Sequence, residues 1–263
     1  MIHAANHVYW LRTAERPDVD QYLREVAALG VRSVFVGGHG VADIRLGAEV
    51  TVSMLKTAMA GTGVSIHTIH ALFGDERNLG VADEAARAAG IRAHEKTLRV
   101  AADLGASNVV FHIGGAEPDV NLSSALRSVE TLLAVAEDAG VDVAIENLPP
   151  GLLGSSPEDL VAIMEAFDSP RLGVCLDTGH AHMTGGCDRW LDAVGPHVSM
   201  VHLHDNMGDV DNHLAPGEGT IDWPRAQRRL RENGYSGPWV SESRVHPGWT
   251  PERLFERFRT VFG

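Results

Sequence analysis

The chain has 263 residues, 44% of them apolar and 22% charged, and its 35 acidic against 22 basic side chains give a formal net charge of −13. That balance fits an ordinary globular domain and argues against partners gripped through phosphates, so nucleic acid and anionic membranes are not expected and a small-molecule ligand is favoured. No run approaches the ~20 apolar residues of a membrane span, Met1 to His7 carries no secretory signal, and Cys175 and Cys187 cannot form a disulfide framework, so a cytoplasmic protein is the expectation.

A first strand is expected near Ile2 to Tyr9, followed by a helix over Val19 to Leu29 that stops at Gly30. Ser33-Val34-Phe35-Val36 reads as a second strand. The Gly37-Gly38-His39-Gly40 run after it is not the phosphate-binding fingerprint that an open doubly wound sheet would place there. Gly63 precedes a third strand, Val64-Ser65-Ile66, that leads towards His70, and Val81 to Leu104 is a long helical stretch, either one bent helix or two. Asn108 to Phe111 forms a fourth strand ending at His112, and an amphipathic helix covers Leu122 to Ala139.

Val143-Ala144-Ile145 runs into Glu146 and is broken by Asn147-Leu148-Pro149-Pro150; a helix over Pro157 to Phe167 follows. Gly173 to Leu176 runs into Asp177, with Thr178-Gly179-His180 read as a loop. Val198 to Val201 leads to His202 and His204, a helix spans Pro224 to Asn233, and Trp239-Val240-Ser241 ends at Glu242. Strands alternating with helices imply a parallel sheet. Eight such units without a linker imply an α/β fold closed as a (β/α)₈ barrel, a single domain over residues 1–263.

Active-site groups of such barrels sit at the C-terminal ends of the strands. His70, His112, Glu146, Asp177, His180, His202 or His204, Asp211, His213 and Glu242 all fall at or just past those ends. One histidine so placed would be read as a hydrogen-bonded core residue; a ring of them with carboxylates is not. Three acids ending three apolar strands would repel one another and resist burial unless a cation neutralised them. Arg244 could pair with one, not with all. Mixed imidazole and carboxylate donors suit Mn²⁺, Zn²⁺, Co²⁺ or Fe²⁺ rather than Ca²⁺. His202 and His204 are two apart, so both point to one side of a strand.

Glu146-Asn147, Leu176-Asp177-Thr178-Gly179-His180, Val201-His202-Leu203-His204-Asp205, Asp211-Asn212-His213 through Gly217-Glu218-Gly219, and Glu242 together resemble the xylose-isomerase-like TIM barrel superfamily. The likeness covers essentially the whole chain. It includes sugar and sugar-phosphate isomerases and epimerases, and apurinic-site endonucleases. The one-metal epimerase branch implies Glu146, Asp177, His204 and Glu242 as ligands, with His180 near the substrate. The three-metal endonuclease branch adds His70, His112, His180, Asp211 and His213, with Glu146 bridging two ions and His202 as the ligand on the seventh strand.

The resemblance thus implies one to three divalent ions and two chemistries. One is isomerisation or epimerisation of a carbohydrate-like substrate, in which Glu146 and Glu242 pass a proton through an enediolate. The other is multinuclear hydrolysis of a phosphodiester, as in an endonuclease IV-like enzyme. The acidic charge favours the first. Trp10, Trp249, His7, Arg244 and His246 are candidate walls for the substrate, which is expected to be unphosphorylated because the loops after the seventh and eighth strands show no Lys/Arg cluster. A homo-oligomer is compatible with this reading.

Overall fold

Strands form where short β-branched runs recur, and helices form where the apolar period lengthens between them. The computed structural model describes residues 7–12, 18–74 and 77–263. Its elements, in chain order, are β1 (His7–Leu11), α1 (Val19–Ala28), β2 (Ser33–Gly37), α2 (Val52–Thr62), β3 (Ser65–His70), α3 (Glu84–Leu104), β4 (Asn108–Phe111) and α4 (Leu122–Ala139). They continue with β5 (Asp142–Glu146), α5 (Pro157–Ala166), β6 (Leu172–Asp177), α6 (Thr178–Met183), α7 (Cys187–Val194), β7 (Val198–His202), α8 (Trp223–Glu232), β8 (Trp239–Ser241) and α9 (Pro251–Phe262). All ladder pairs are parallel, in the order β7-β6-β5-β4-β3-β2-β1-β8. A parallel bridge between Leu203 and Ser241, with Leu203 N–H donating to Val240 O at 2.8 Å, joins the two ends. The sheet is therefore a nearly closed barrel wrapped by helices.

The inside of the ring is filled by Val8, Phe35, Val110, Ala144, Cys175, Met200 and Val240, all fully buried and drawn from seven strands. Cys175 belongs to this floor, and burial pushes its thiol up to about 12, so it is a neutral packing group. A second, larger core lies between strands and helices, where Leu23, Leu55, Leu98, Leu132, Leu160 and Phe258 are inaccessible. Each such side chain contributes about 1.5–3 kcal/mol of burial. That rigid frame leaves the residues beyond each strand free to serve a site.

Helix starts are fixed by side-chain caps. Asp18, Thr51, Asp83, Asn121, Ser156, Asp222 and Thr250 each accept the N–H three residues on. Gly63, Gly105 and Gly140 end their helices in the left-handed region, as their spacing suggested. Three expectations need correction. The first strand lies at His7–Leu11, while residues 1–6 fall outside the described part. The Val81 to Leu104 stretch is one helix starting at Glu84, because Asp83 caps it. Thr178-Gly179-His180 is the first turn of a short helix rather than a loop, because Asp177 caps it through the His180 N–H at 2.7 Å. Among the described residues no helix is long and apolar enough to cross a membrane.

Candidate metal centre

His70, Glu146, Asp177 and His202 are the last residues of β3, β5, β6 and β7, while His112 and Glu242 each lie one residue beyond β4 and β8. A parallel barrel brings all six to one rim. Glu146, 1% exposed, is the hub. Its Oε2 lies 3.0 Å from His70 Nε2 and 3.0 Å from His112 Nε2, and its Oε1 lies 3.0 Å from His202 Nδ1. Around it, one potential donor atom from each of Glu146, Asp177, His202 and Glu242 falls within a sphere of mutual distances below 4.8 Å. The same spacing gathers His70, His112 and Glu146, and also Asp177, His180 and His204.

Two loops complete the rim. The segment after β7 carries Asp211 and His213, whose carboxylate and Nε2 are 3.1 Å apart; Asp211 is also 3.5 Å from His180 Nε2. His213 has φ 52°, the only positive value at a non-glycine among the described residues. Histidine tolerates this region better than most residues, but a held αL residue at a polar cluster is a mark of function. It is held by stacking on His204, with ring centroids 4.0 Å apart, and by a 2.8 Å hydrogen bond between Nδ1 and Glu242 O.

Electrostatics follow from this crowding. Burial works against the charge on Glu146, yet His202 and the hydrogen bonds from His112, His202 and His70 hold its carboxyl well below the usual range. Glu242 is held down in the same direction by His202, again against burial. Burial also opposes protonation of His180, but Asp177, Asp211 and Glu146 push it up to about 10. Acids and imidazoles are thus mutually compensated without a single Lys or Arg. That is the donor chemistry of a divalent transition-metal site, in which a cation replaces the protons.

Whether such an ion fits can be tested on buried atoms that have nothing to bond. His202 Nε2, His204 Nδ1 and Asp211 Oδ1 are buried without a hydrogen-bond partner. In a site this polar, orphaned donors and acceptors are costly unless a ligand satisfies them. The residues present therefore fit a bound cation. The geometry brings His202, not His204, into the group with Glu146, Asp177 and Glu242. His204 belongs to two other such groups, with Asp177 and His180 and with His213 and Glu242; it lies 3.0 Å from Asp177 and stacks on His213. Stripping the metal should lower the melting temperature by about 10 °C, since an ion at ~1,000 times its Kd contributes ~4 kcal/mol and each kcal/mol moves a domain of this size a few degrees. Scanning calorimetry before and after chelation, with elemental analysis of both samples, measures it. A metal-bearing protein whose melting is unmoved by its loss would exclude a structural share for the ion.

Of the candidate ligands, His70, His112, Glu146, His180, Asp211, His213 and Glu242 line a cavity of about 650 Å³. Its walls include Trp10, Phe35, Phe73, Leu152 and Arg244. Trp10, Phe35 and His202 stack in series, Trp10 on Phe35 at 5.6 Å and Phe35 on His202 at 5.5 Å, so one aromatic face runs from mouth to floor. Of the expected walls, Trp10 and Arg244 are in place. His7 is not: it sits at the opposite end of β1, 3.4 Å from Phe262 O. His246 and Trp249 do not line the cavity either; His246 bonds His213 O, and Trp249 lies under Arg253. Nor does Arg244 pair with any of the buried acids, which are taken by imidazoles.

Several supporting residues had no signal of their own in the sequence. Asn147 clips β5 to β6, accepting from Asp177 N at 2.6 Å and donating to Asp177 O at 3.0 Å. Asp205 is fully buried with no cation beside it. It accepts from Asn206 N at 3.0 Å, Gly217 N at 2.8 Å, Ile221 N at 3.2 Å and Trp223 Nε1 at 2.8 Å, and so folds the loop that presents Asp211 and His213. A carboxylate held by several N–H donors needs no counter-ion. Its place directly after His204 was the only available hint.

Among known proteins, an uncharacterized protein of Methanocaldococcus jannaschii is 36% identical over 121 residues, a match covering 44% of this chain and only 41% of that protein. An L-ribulose-5-phosphate 3-epimerase of Escherichia coli is 26% identical over 195 residues, covering 72% of this chain and 68% of the enzyme. In three dimensions the chain superposes on a D-tagatose 3-epimerase-like protein with a TM-score of 0.80 at 24% identity, over 97% of this chain and 96% of that one. At that identity the likeness speaks for the fold. The family model described as xylose isomerase-like TIM barrel matches residues 23–258, and with the ring of strand-end acids and histidines in place, the chain belongs to that family.

Proposed function

We propose that this protein is a divalent-metal-dependent isomerase or epimerase of a ketose-type carbohydrate, working by proton transfer through an enediolate. The observation that carries the reading is the pair of buried carboxylates, Glu146 and Glu242, sharing one four-residue group with Asp177 and His202 and both lining the floor of the cavity. The sugar 3-epimerase among its relatives and the epimerase-like structure it superposes on support the same reaction class.

Glu146, Asp177, His202 and Glu242 would hold the ion, which supplies Lewis acidity to adjacent carbonyl and hydroxyl oxygens and so acidifies the C–H between them. Glu146 ends β5 and Glu242 follows β8, and the imidazole partners favour the ionised form of each. One, as the carboxylate, would take the proton on its side of the substrate and become the acid; the other, entering the turnover with a proton taken up from solvent, would give that proton from the other side and become the carboxylate. Return to the opposite face inverts a carbinol centre, and return to the neighbouring carbon moves the carbonyl. His180 stands beside Asp211 at the cavity wall, placed to touch a substrate hydroxyl, and the Trp10 face gives the carbon skeleton an apolar surface.

A second reading rests on the separate His70–His112–Glu146 group, which would let Glu146 bridge two ions, as a multinuclear phosphodiester hydrolase requires. Solvent isotope incorporation separates the two. Incubation of the metal-loaded protein with ketoses in D₂O is expected to place deuterium at the carbon next to the carbonyl, read by NMR. Hydrolysis of a phosphodiester, with two or three ions per chain and no carbon-bound deuterium, would replace the epimerase assignment by the hydrolase.

A further inference from the structure

We infer that the ligand of this cavity bears an anionic group, phosphate or carboxylate, at the end away from the acidic floor, and that Arg12 and Arg244 form the subsite that holds it. The inference rests on the proposed function and names the substrate class more narrowly. Its phosphate form departs from the expectation of an unphosphorylated substrate, and the reason lies in barrel closure. β1 and β8 are parallel neighbours, with Tyr9 opposite Ser241. Arg12 and Arg244 each lie three residues past that pair, so closure brings two basic residues 232 positions apart in sequence to the same end of the barrel. Both line the cavity that has Glu146, Asp211 and Glu242 at its base.

Arg244 is exposed, and among the described residues its side chain has neither a hydrogen bond nor an ion pair. Several other surface arginines do find carboxylates: Arg24 with Asp20, Arg171 with Glu137, Arg189 with Glu158, Arg225 with Asp188. Its backbone is nonetheless fixed, the Arg244 N–H donating to His213 O at 2.9 Å. The guanidinium of Arg12 lies 4.7 Å over the ring of Trp10, which lines the same cavity. A planar guanidinium fork matches phosphate and carboxylate oxygens and is the group used where such anions are held with fixed geometry. A ligand whose vicinal neutral oxygens lie at the acid and imidazole cluster would direct an anion at its other end towards these two arginines.

The test is equilibrium binding by calorimetry of a matched ketohexose series to the metal-loaded protein: D-fructose, D-fructose 6-phosphate and D-fructuronate, which differ only at C6. One of the two anions is expected to bind at least about 30-fold tighter than the neutral sugar, the size of a pair of charge-assisted hydrogen bonds; whichever anion wins identifies the group. In Arg12→Ala/Arg244→Ala that ratio should fall to within about threefold, with Arg244→Lys intermediate because it keeps the charge and loses the fork. A wild-type ratio near unity, no measurable binding of either anion, or a preference that survives the double substitution would overturn the subsite. Anion-selective binding without deuterium exchange would instead leave the subsite standing and remove the epimerase reading; exchange with charge-blind binding would do the reverse.

Discussion

Glu242→Gln is expected to reduce turnover by about 10³-fold while leaving the fold intact, the size of a lost general acid–base group. The substitution is isosteric, and the 3.4 Å approach of Glu242 to His202 is long, so little packing is at stake. What disappears is the ability to take up and return a proton, together with one anionic donor to the ion, so bound metal is measured alongside. Glu146→Gln would be less clean, because three imidazoles at 3.0 Å depend on that one carboxylate and metal loading would suffer with it. Initial rates, deuterium incorporation and the melting temperature of Glu242→Gln separate chemistry from stability. A variant that keeps more than a tenth of wild-type kcat with its metal bound would take Glu242 out of proton transfer.

Gly179→Ala should be as damaging without replacing a single candidate ligand. A Cβ at Gly179 would fall inside the fully buried His204 imidazole, and neither the ring nor the α6 backbone has room to yield. His204 would be driven away from Asp177 and off its stack on His213. Overpacking of this kind costs about 1–3 kcal/mol, so a loss of several degrees in melting is expected together with a fall in bound metal measured by elemental analysis. Gly61→Ala on α2 is the control: its added Cβ meets nothing nearer than Asp20 Oδ1 at 4.0 Å, and alanine is the better helix former. Normal metal content in Gly179→Ala would mean that His204 has no part in holding the ion.

Most of the barrel and much of its rim could be read directly from the chain, for a local reason. Where an apolar β-branched run ends in an acid or histidine, the residue that stops the strand is also the one the barrel delivers to its C-terminal face, as at His70, Glu146 and Asp177. Helix ends were visible where a capping glycine fixes them locally. The remainder depends on contacts between distant segments. Period-two spacing puts His202 and His204 on one side of a strand, but β7 ends at His202 and the chain then leaves to pair Asp205 with Leu214, which separates the two rings. The short α6 was read as a loop because its helical character comes from the Asp177 cap, and Asp177 was already accounted for as a ligand. Arg12 and Arg244 were not seen as a pair because only closure makes them neighbours.

That closure has a corollary for how the molecule is born. β8 takes most of its ladder from β1 and touches β7 through the one bridged pair, Leu203 and Ser241, that lies between His202 and Glu242. First and last strands must find each other across the greatest contour length the chain offers, the slowest class of contact to form. Chemical competence is consequently a late event in maturation, and a nascent polypeptide that has emerged only as far as α8 holds every imidazole of the rim yet still lacks Glu242 and the strand that delivers it.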